Sequence, residues 1–294
     1  MMQSAAVRQL VLLLPALGVI VLLIGVPLGL MGWVSLLEKS SSAGVDWQAS
    51  PGAGNYLRLV WEEDFDGRMI LNPTYLVIFL RSVLQAAVTT LLCLVLGLPV
   101  ALWMAGLTRT GRMVMLLLVT IPFWTNLLVR NYAWLIILRE DGWTTAVLNR
   151  LWPFGPVQLL YNDAAVAIGL TYSFLPFMIL PLYSVFEKFD WRLIEAALDL
   201  GATRRRALTR VVLPLALPGI VAGSLLVFIP CLGAFVTPAL LGGGKTAMLG
   251  NVIQAQFGPA RNWPFGAAVS IVLLAIMLAV MTAMALWRSR RAPR

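Results

Sequence analysis

The chain has no histidine, two cysteines among 294 residues, and charged residues at only 12% of its length. Without histidine, neither a Ser-His-Asp relay nor the common zinc coordination spheres can be assembled. Cys93 and Cys231 both fall within long apolar blocks, so they do not make the cysteine framework of a small secreted domain. Soluble domains carry about 25% charged residues, and half that supply cannot cover a soluble body of this size.

What the chain has instead is apolar sequence, 60% of its residues, gathered in blocks of about twenty or more that suffice to cross about 30 Å of hydrocarbon. The fold class is therefore all-α: a polytopic membrane protein of six transmembrane helices, one membrane domain over residues 1–294. The spans read as Val11–Trp33, Val83–Leu107 with a lead-in from Thr74, Met113–Leu138, Ala164–Val185, Val212–Leu240 and Phe265–Trp287. Arg8 ahead of the first block has the look of a secretory signal, but the block is too long for a signal core and five more follow, so it is read as an uncleaved helix. Asn262, Trp263 and Pro264 supply a cap, an interfacial ring and a first-turn proline for the sixth helix. Trp143, Trp152 and Trp287 also lie near span ends, where indole rings anchor at the headgroups.

Charge orients these spans. Basic clusters sit at Arg8, Arg109 and Arg112, between Lys188 and Arg210, and from Arg288 to Arg294; alternate loops lack them. With both termini cytoplasmic, every cluster lies inside, and the whole net charge of +9 is cytoplasmic. The longest outside stretch, from Val34 to Asn72, carries Ser40–Ser42, Pro51 and the acidic run Glu62, Glu63, Asp64 and Asp66. That run is either a solvated loop or a dock for a binding protein or polycation.

Residues 190–213 are too regular for a linker. Leu193, Ala196, Ala197 and Leu200 follow helical spacing, giving an apolar stripe on a short helix. Gly201 permits a left-handed turn, and Thr203 can cap a second helix bearing Arg204, Arg205, Arg206 and Arg210. Two short helices joined at a glycine make a knob that can act as a lever; the plain alternative is an amphipathic hairpin lying on lipid.

Glu195-Ala196-Ala197, three residues, Gly201, nine residues and then Val211-Val212-Leu213-Pro214 resembles the Glu-Ala-Ala loop of type I ABC importer permeases, with valine at 211 where isoleucine is usual. The resemblance implies that Glu195, Ala196, Ala197, Leu200, Gly201 and Arg204 dock on a separate ATPase subunit. Ala196, Ala197 and Leu200 would pack in its cleft, and Gly201 would set the angle between the helices. It further implies a second homologous permease, two cytoplasmic ATPase subunits, a periplasmic solute-binding protein and a bacterial inner-membrane location. No cofactor is expected in this chain, ATP and Mg belonging to the partners, and no nucleic acid is expected. Pro122-Phe123-Trp124-Thr125, Arg130-Asn131-Tyr132-Ala133-Trp134, Leu175–Tyr183, Gly233-Ala234-Phe235-Val236, Leu241-Gly242-Gly243 and Arg261–Gly266 narrow the resemblance to spermidine/putrescine permeases. Related importers for ferric ion, sulfate or other solutes share parts of these strings, and an ATPase-independent channel is the alternative of a different class.

Gly244-Lys245-Thr246 is no phosphate loop, because Ala239 stands where the pattern needs glycine. No carboxylate occupies a span centre, which excludes the usual proton- or sodium-coupling sites. Arg130, 17 residues beyond Met113, is expected about 26 Å further along a straight helix and so near the outer interface. Aromatic faces that could receive a dehydrated ammonium are Trp124, Tyr172, Phe174, Phe177, Tyr183 and Phe235; each could equally be helix packing. Pro176 and Pro181 in the fourth span, and Pro230 and Pro238 in the fifth, either permit bending or set static kinks.

Overall fold

A computed structural model describes residues 13–15, 17–41, 44–63, 68–151 and 158–291. Arg8, Val11, Ser42, Asp64, Asp66, Trp152 and Arg294 lie outside these residues, as do the side chains of Glu63, Trp143, Trp287, Arg288, Arg290 and Arg291. Five described helices are long and apolar enough to cross a bilayer, and a bent pair supplies a sixth crossing if counted as one span. The residues gather into two compact units, one running to Leu76 and including Val252–Leu278, the other Val77–Asn251 with the stretch from Ala279.

The first unit opens with α1 (Leu13–Val34), which contains a wide turn at Val21–Gly25. A polar loop follows, held by its own side chains. Buried Asn55, on the one-turn α2 (Gly54–Leu57), donates to the carbonyls of Ser35 and Leu37 at 2.9 and 2.7 Å, and Ser35 Oγ meets the Tyr56 hydroxyl at 2.7 Å. Two small antiparallel pairs complete it, Glu38–Lys39 with Val45–Asp46 and Trp61–Glu63 with Met69–Leu71. Glu62 is not free in this loop, since its carboxylate accepts from Asn72 Nδ2. The predicted cap of the last helix is present, with Phe265 N donating to Asn262 Oδ1 at 3.3 Å. Phe265 also meets Tyr75 edge to face at 5.2 Å.

The second unit holds most of the bundle. Its elements are α3 (Thr74–Ala105) from Val77 on, α4 (Arg109–Trp124), α5 (Leu127–Leu138), α6 (Trp143–Leu151), α7 (Asp163–Phe186), α8 (Arg192–Asp199), α9 (Arg204–Leu232), α10 (Val236–Leu241) and the start of α11 (Leu249–Phe257); α12 (Trp263–Arg291) re-enters it at Ala279. The core lies among α3, α7 and α9, where Cys93, Ala101, Met104, Met178, Leu182, Phe186, Ala216 and Val227 are all fully or almost fully buried. Helices α7 and α9 cross at close range because Gly219 and Gly223, four apart on α9, have no side chains. A Cβ at Gly219 would stand 3.0 Å from the Pro181 carbonyl, and one at Gly223 2.7 Å from Met178 Sδ. Small residues at this spacing are the usual means of close helix approach within a bilayer, where burying apolar surface supplies no drive.

Two predicted spans are corrected. Met113–Leu138 is not one helix but two, α4 and α5, meeting at 92°. Thr125 leaves the helix with extended backbone, and Asn126 starts the next one, its Oδ1 accepting from Leu128 N at 2.8 Å. The straight-helix estimate for Arg130 therefore fails: this side chain turns back and donates to the Thr125 carbonyl at 3.1 Å, satisfying an acceptor that the break exposes. Val212–Leu240 is likewise two helices. It starts earlier, at Arg204, passes through a wide turn at Leu208–Val212, and stops at Leu232 before α10. The gap at Gly233–Phe235 is braced by Gly250, whose absent Cβ would lie 2.6 and 2.7 Å from the carbonyl oxygens of Gly233 and Ala234, and by Asn251 Nδ2, which donates to the Phe235 carbonyl at 2.8 Å.

Candidate functional site

The loop between α7 and α9 builds from its ends inward. Asp190 Oδ1 accepts from Arg192 N at 3.1 Å and opens α8. The helix closes with a paired motif in which Gly201 N donates to Leu198 O at 2.9 Å and Ala202 N to Ala197 O at 3.0 Å. That geometry requires a left-handed residue after the cap, and Gly201 has φ +82°. Thr203 then caps the start of α9, its Oγ1 accepting from Arg206 N at 3.3 Å. The predicted turn and the short helix before it are present, but the second short helix is the start of the fifth span, α9, rather than a separate element.

The stripe proposed for docking faces outward. Leu200 is 89% exposed and Leu193 46%; Glu195, Ala196, Gly201 and Arg204 are exposed and Ala197 is half-buried. Ile194, on another side of α8, packs instead against the core. Sequence periodicity finds the outer stripe but misses that α8 has a second apolar side, because an eight-residue helix gives too few turns to separate two faces.

The root of the loop is tied down. Tyr183, buried in the core, donates to Glu187 Oε1 at 3.0 Å just where α7 ends. Arg112, on the first turns of α4, donates to the carbonyls of Leu107 and Ala105 at 2.9 and 2.6 Å and so closes the C-terminal end of α3. A guanidinium there meets the negative end of the helix dipole and satisfies carbonyls left without helical donors. Its basic character is visible in the sequence, its capping role is not.

The six aromatic residues named for the pathway separate into groups. Phe177 stacks edge-on with Phe123 at 4.6 Å and lies beside Phe174 at 6.1 Å; Phe174 and Phe177 are half-buried and Phe123 is exposed. Tyr172, at the surface of α7, meets Trp134 of α5 at 5.6 Å. Trp124, 88% exposed, ends α4 at one break, and Phe235, 45% exposed, stands in the other. Tyr183 belongs to the loop root rather than to either group. Both breaks lie around α7: α10 packs on α5 and α7, and a Cβ at Gly169 of α7 would collide with Leu241 Cδ1 and Thr237 Cγ2 of α10 at 2.4 and 2.9 Å. Asn131 of α5 is buried here with its amide turned to the Leu127 carbonyl at 2.9 Å. Arg81 of α3 reaches the Lys245 carbonyl at 2.8 Å and Asp163 at 3.9 Å, so it is not a lone intramembrane charge.

Non-helical backbone at membrane depth persists only where protein buries it or a polar cavity receives it. A bundle of apolar spans, two of them interrupted beside one another, with a braced helical elbow between α7 and α9, is the architecture of a membrane permease. The chain belongs to the binding-protein-dependent transport system inner membrane component family, the permeases of ABC importers, whose model matches residues 75–292. It is 42% identical over 238 residues to the spermidine/putrescine transport system permease protein PotB of Escherichia coli K12, covering 81% of this chain and 86% of that one. The PotB protein of Haemophilus influenzae is 45% identical over 209 residues, 71% of this chain and 73% of the relative. Among solved structures, a chain of a bacterial alginate ABC transporter in complex with an alginate-bound periplasmic protein superposes with a TM-score of 0.69 at 15% identity, over 96% of this chain and 93% of that one. At that identity the likeness is one of fold.

Proposed function

We propose that this chain is one of two permease subunits of an ATP-driven importer of polyamines such as putrescine and spermidine. The observation that carries the solute class is the 42–45% identity, over most of the chain, with permeases named for spermidine and putrescine. In this reading both termini are cytoplasmic, which keeps the arginine clusters on the side that lysine- and arginine-rich loops favour. A binding protein delivers the solute from the opposite side, and a second, similar permease completes the pathway. Two partner ATPase subunits hold ATP and Mg, and no hydrolytic step belongs to this polypeptide.

The geometry supports a mechanical account. The exposed Leu193, Ala196 and Leu200 enter a cleft on the ATPase, with Glu195 making polar contacts beside them, while Arg204 faces the cavity behind α8. Gly201 and the cap at Thr203 keep the elbow at a fixed angle, so a push on α8 is delivered to the foot of α9 rather than absorbed in the loop. Because α9 is locked on α7 at Gly219 and Gly223, the two helices move together. The motion reaches the gap at Gly233–Phe235, where Phe235 is exposed. A polyamine that has shed water there exchanges it for carbonyl groups and aromatic faces. Trp124, Tyr172 and Phe235 present rings to it, and Phe174 and Phe177 back them.

The test is uptake by the complete reconstituted transporter, with its binding protein, of putrescine, spermidine and unrelated solutes. The expected outcome is ATP-dependent accumulation of the polyamines alone. Accumulation of another solute with no polyamine uptake overturns the solute assignment, and equal flux without ATP overturns the importer mechanism.

A further inference from the structure

Beside the elbow, within the second unit, lies a cavity of about 410 Å³ whose walls include Leu102, Trp103, Ile194, Leu198 and Leu208, with Arg204 its charged residue among those described. That volume falls in the range of small-molecule sites. Its three walls are the last turns of the span α3, the first turns of the span α9, and the inner side of α8. The cavity therefore stands where two membrane helices reach their ends, at the boundary between hydrocarbon and headgroups.

The cavity is open: Trp103 is 57% exposed, Leu198 37% and Leu208 38%. Its walls offer water few partners, yet they are not closed against an occupant. What fits is a molecule with an apolar body and an anionic head. Arg204 marks the head end, and exposed Arg205 and Arg206 follow it; among the described residues none of the three has a carboxylate within 4.0 Å. Trp191, which also lines the cavity at 37% exposure, and Trp103 are rings of the kind that settle at headgroup level. A polyamine would be repelled by Arg204. The outward stripe of Leu193, Ala196 and Leu200 lies on a different side of α8, so protein docking there leaves the cavity side of the helix free.

We infer that this cavity binds an anionic phospholipid, one acyl chain lying between the end of α3 and α8 and the phosphate held by Arg204. The lipid wedges the elbow against the bundle, so the stiffness of the lever depends on the lipid that fills it. This goes beyond the transport reading and requires only that α3 and α9 span a bilayer; the solute can be anything.

The test uses the complete transporter in membranes doped with photoactivatable phosphatidylglycerol or, with identical chains, phosphatidylcholine, and maps the adducts by peptide mass spectrometry. Phosphatidylglycerol adducts are expected to concentrate on the peptides carrying Leu102–Trp103 and Leu208. Arg204→Gln should cut them about fivefold, the factor that one basic contact to an anionic membrane supplies, while Arg204→Lys restores most of the signal and Arg150→Gln leaves it unchanged. Equal labelling by the two lipids overturns the inference, as does an Arg204→Gln protein that keeps its adducts. Labelling that emerges only when the ATPase subunits are stripped away also overturns it, because a protein then fills the cavity in the working assembly.

Discussion

Helix α7 carries two prolines, Pro176 and Pro181, and remains one helix of 24 residues; α4 carries one, Pro122, and within three residues the chain turns by 92°. Proline removes one donor from a helix in either case, so proline content does not decide where a span breaks. The residues downstream of each proline make the difference. After Pro122 come Thr125, whose hydroxyl returns to the Pro122 carbonyl at 2.8 Å, and Asn126, which caps a new start. After Pro181 come Leu182 and Tyr183, which continue into the core, the Tyr183 hydroxyl donating onward to Glu187. A membrane helix breaks where side chains or neighbouring backbone take over the freed groups. It bends or holds where they do not.

The second break sharpens the comparison, because there the replacement comes from elsewhere in the chain. Gly250 sits against the open carbonyls of Gly233 and Ala234 with no room for a Cβ. Gly250→Val is expected to have the largest effect: overpacking against backbone costs about 1–3 kcal/mol or more, and here it also dislodges the neighbouring Asn251 bond. The expected outcome is loss of folded, complex-forming protein, read by monodispersity and thermal midpoint in detergent. Normal yield and normal uptake would mean that the break is not braced by Gly250.

Next in size is the elbow. Gly201→Val places a β-branched residue at φ +82°, where an L side chain costs about 1–2 kcal/mol. The bundle core does not include this position, so the spans should remain folded while the angle between α8 and α9 is lost. ATP-driven uptake is expected to fall at least tenfold with membrane insertion retained, measured as transport per assembled complex beside ATP turnover. Unchanged uptake would remove the lever from the mechanism. A smaller effect is expected at the first break: Asn126→Ala removes a cap worth about 1 kcal/mol, lowering the thermal midpoint by a few degrees. Pro122→Ala should change it less, and the reverse order would show that proline, not the cap, makes the turn.

These outcomes bear on how far the sequence can be read. The turn of the elbow is legible: Thr203 and Gly201 carry local signals whose partners lie within five residues, and the structure places them as expected. The cap at Asn262 is legible for the same reason. The breaks are not, because hydropathy stays high across them and a window long enough to find a span averages over a three-residue gap. Asn126 does carry a signal, a capping residue ahead of an apolar run, but inside an apolar block it reads as part of one helix. Gly250 carries none, since its reason for being glycine is the backbone of residues seventeen positions and sixteen positions earlier. The aromatics named for the pathway are hard to sort from sequence on the same ground: ring identity is local, while Phe123 against Phe177 and Trp134 against Tyr172 are tertiary facts.

The smallest expected effect tests the unbroken side of the comparison. Pro181 presents its carbonyl to the position of Gly219, so the backbone of α7 is in close contact with α9 at this point. If the helix already runs straight through because packing fixes it, Pro181→Ala adds a donor to a ladder whose geometry is set. The gain is about one hydrogen bond, of order 1 kcal/mol or less, with uptake unchanged. If α7 instead bends at Pro181 during each transport cycle, restoring the donor stiffens a moving part, and uptake should fall while the thermal midpoint rises. Measuring both on the same preparation separates the cases, and the locked crossing at Gly219 and Gly223 predicts the first.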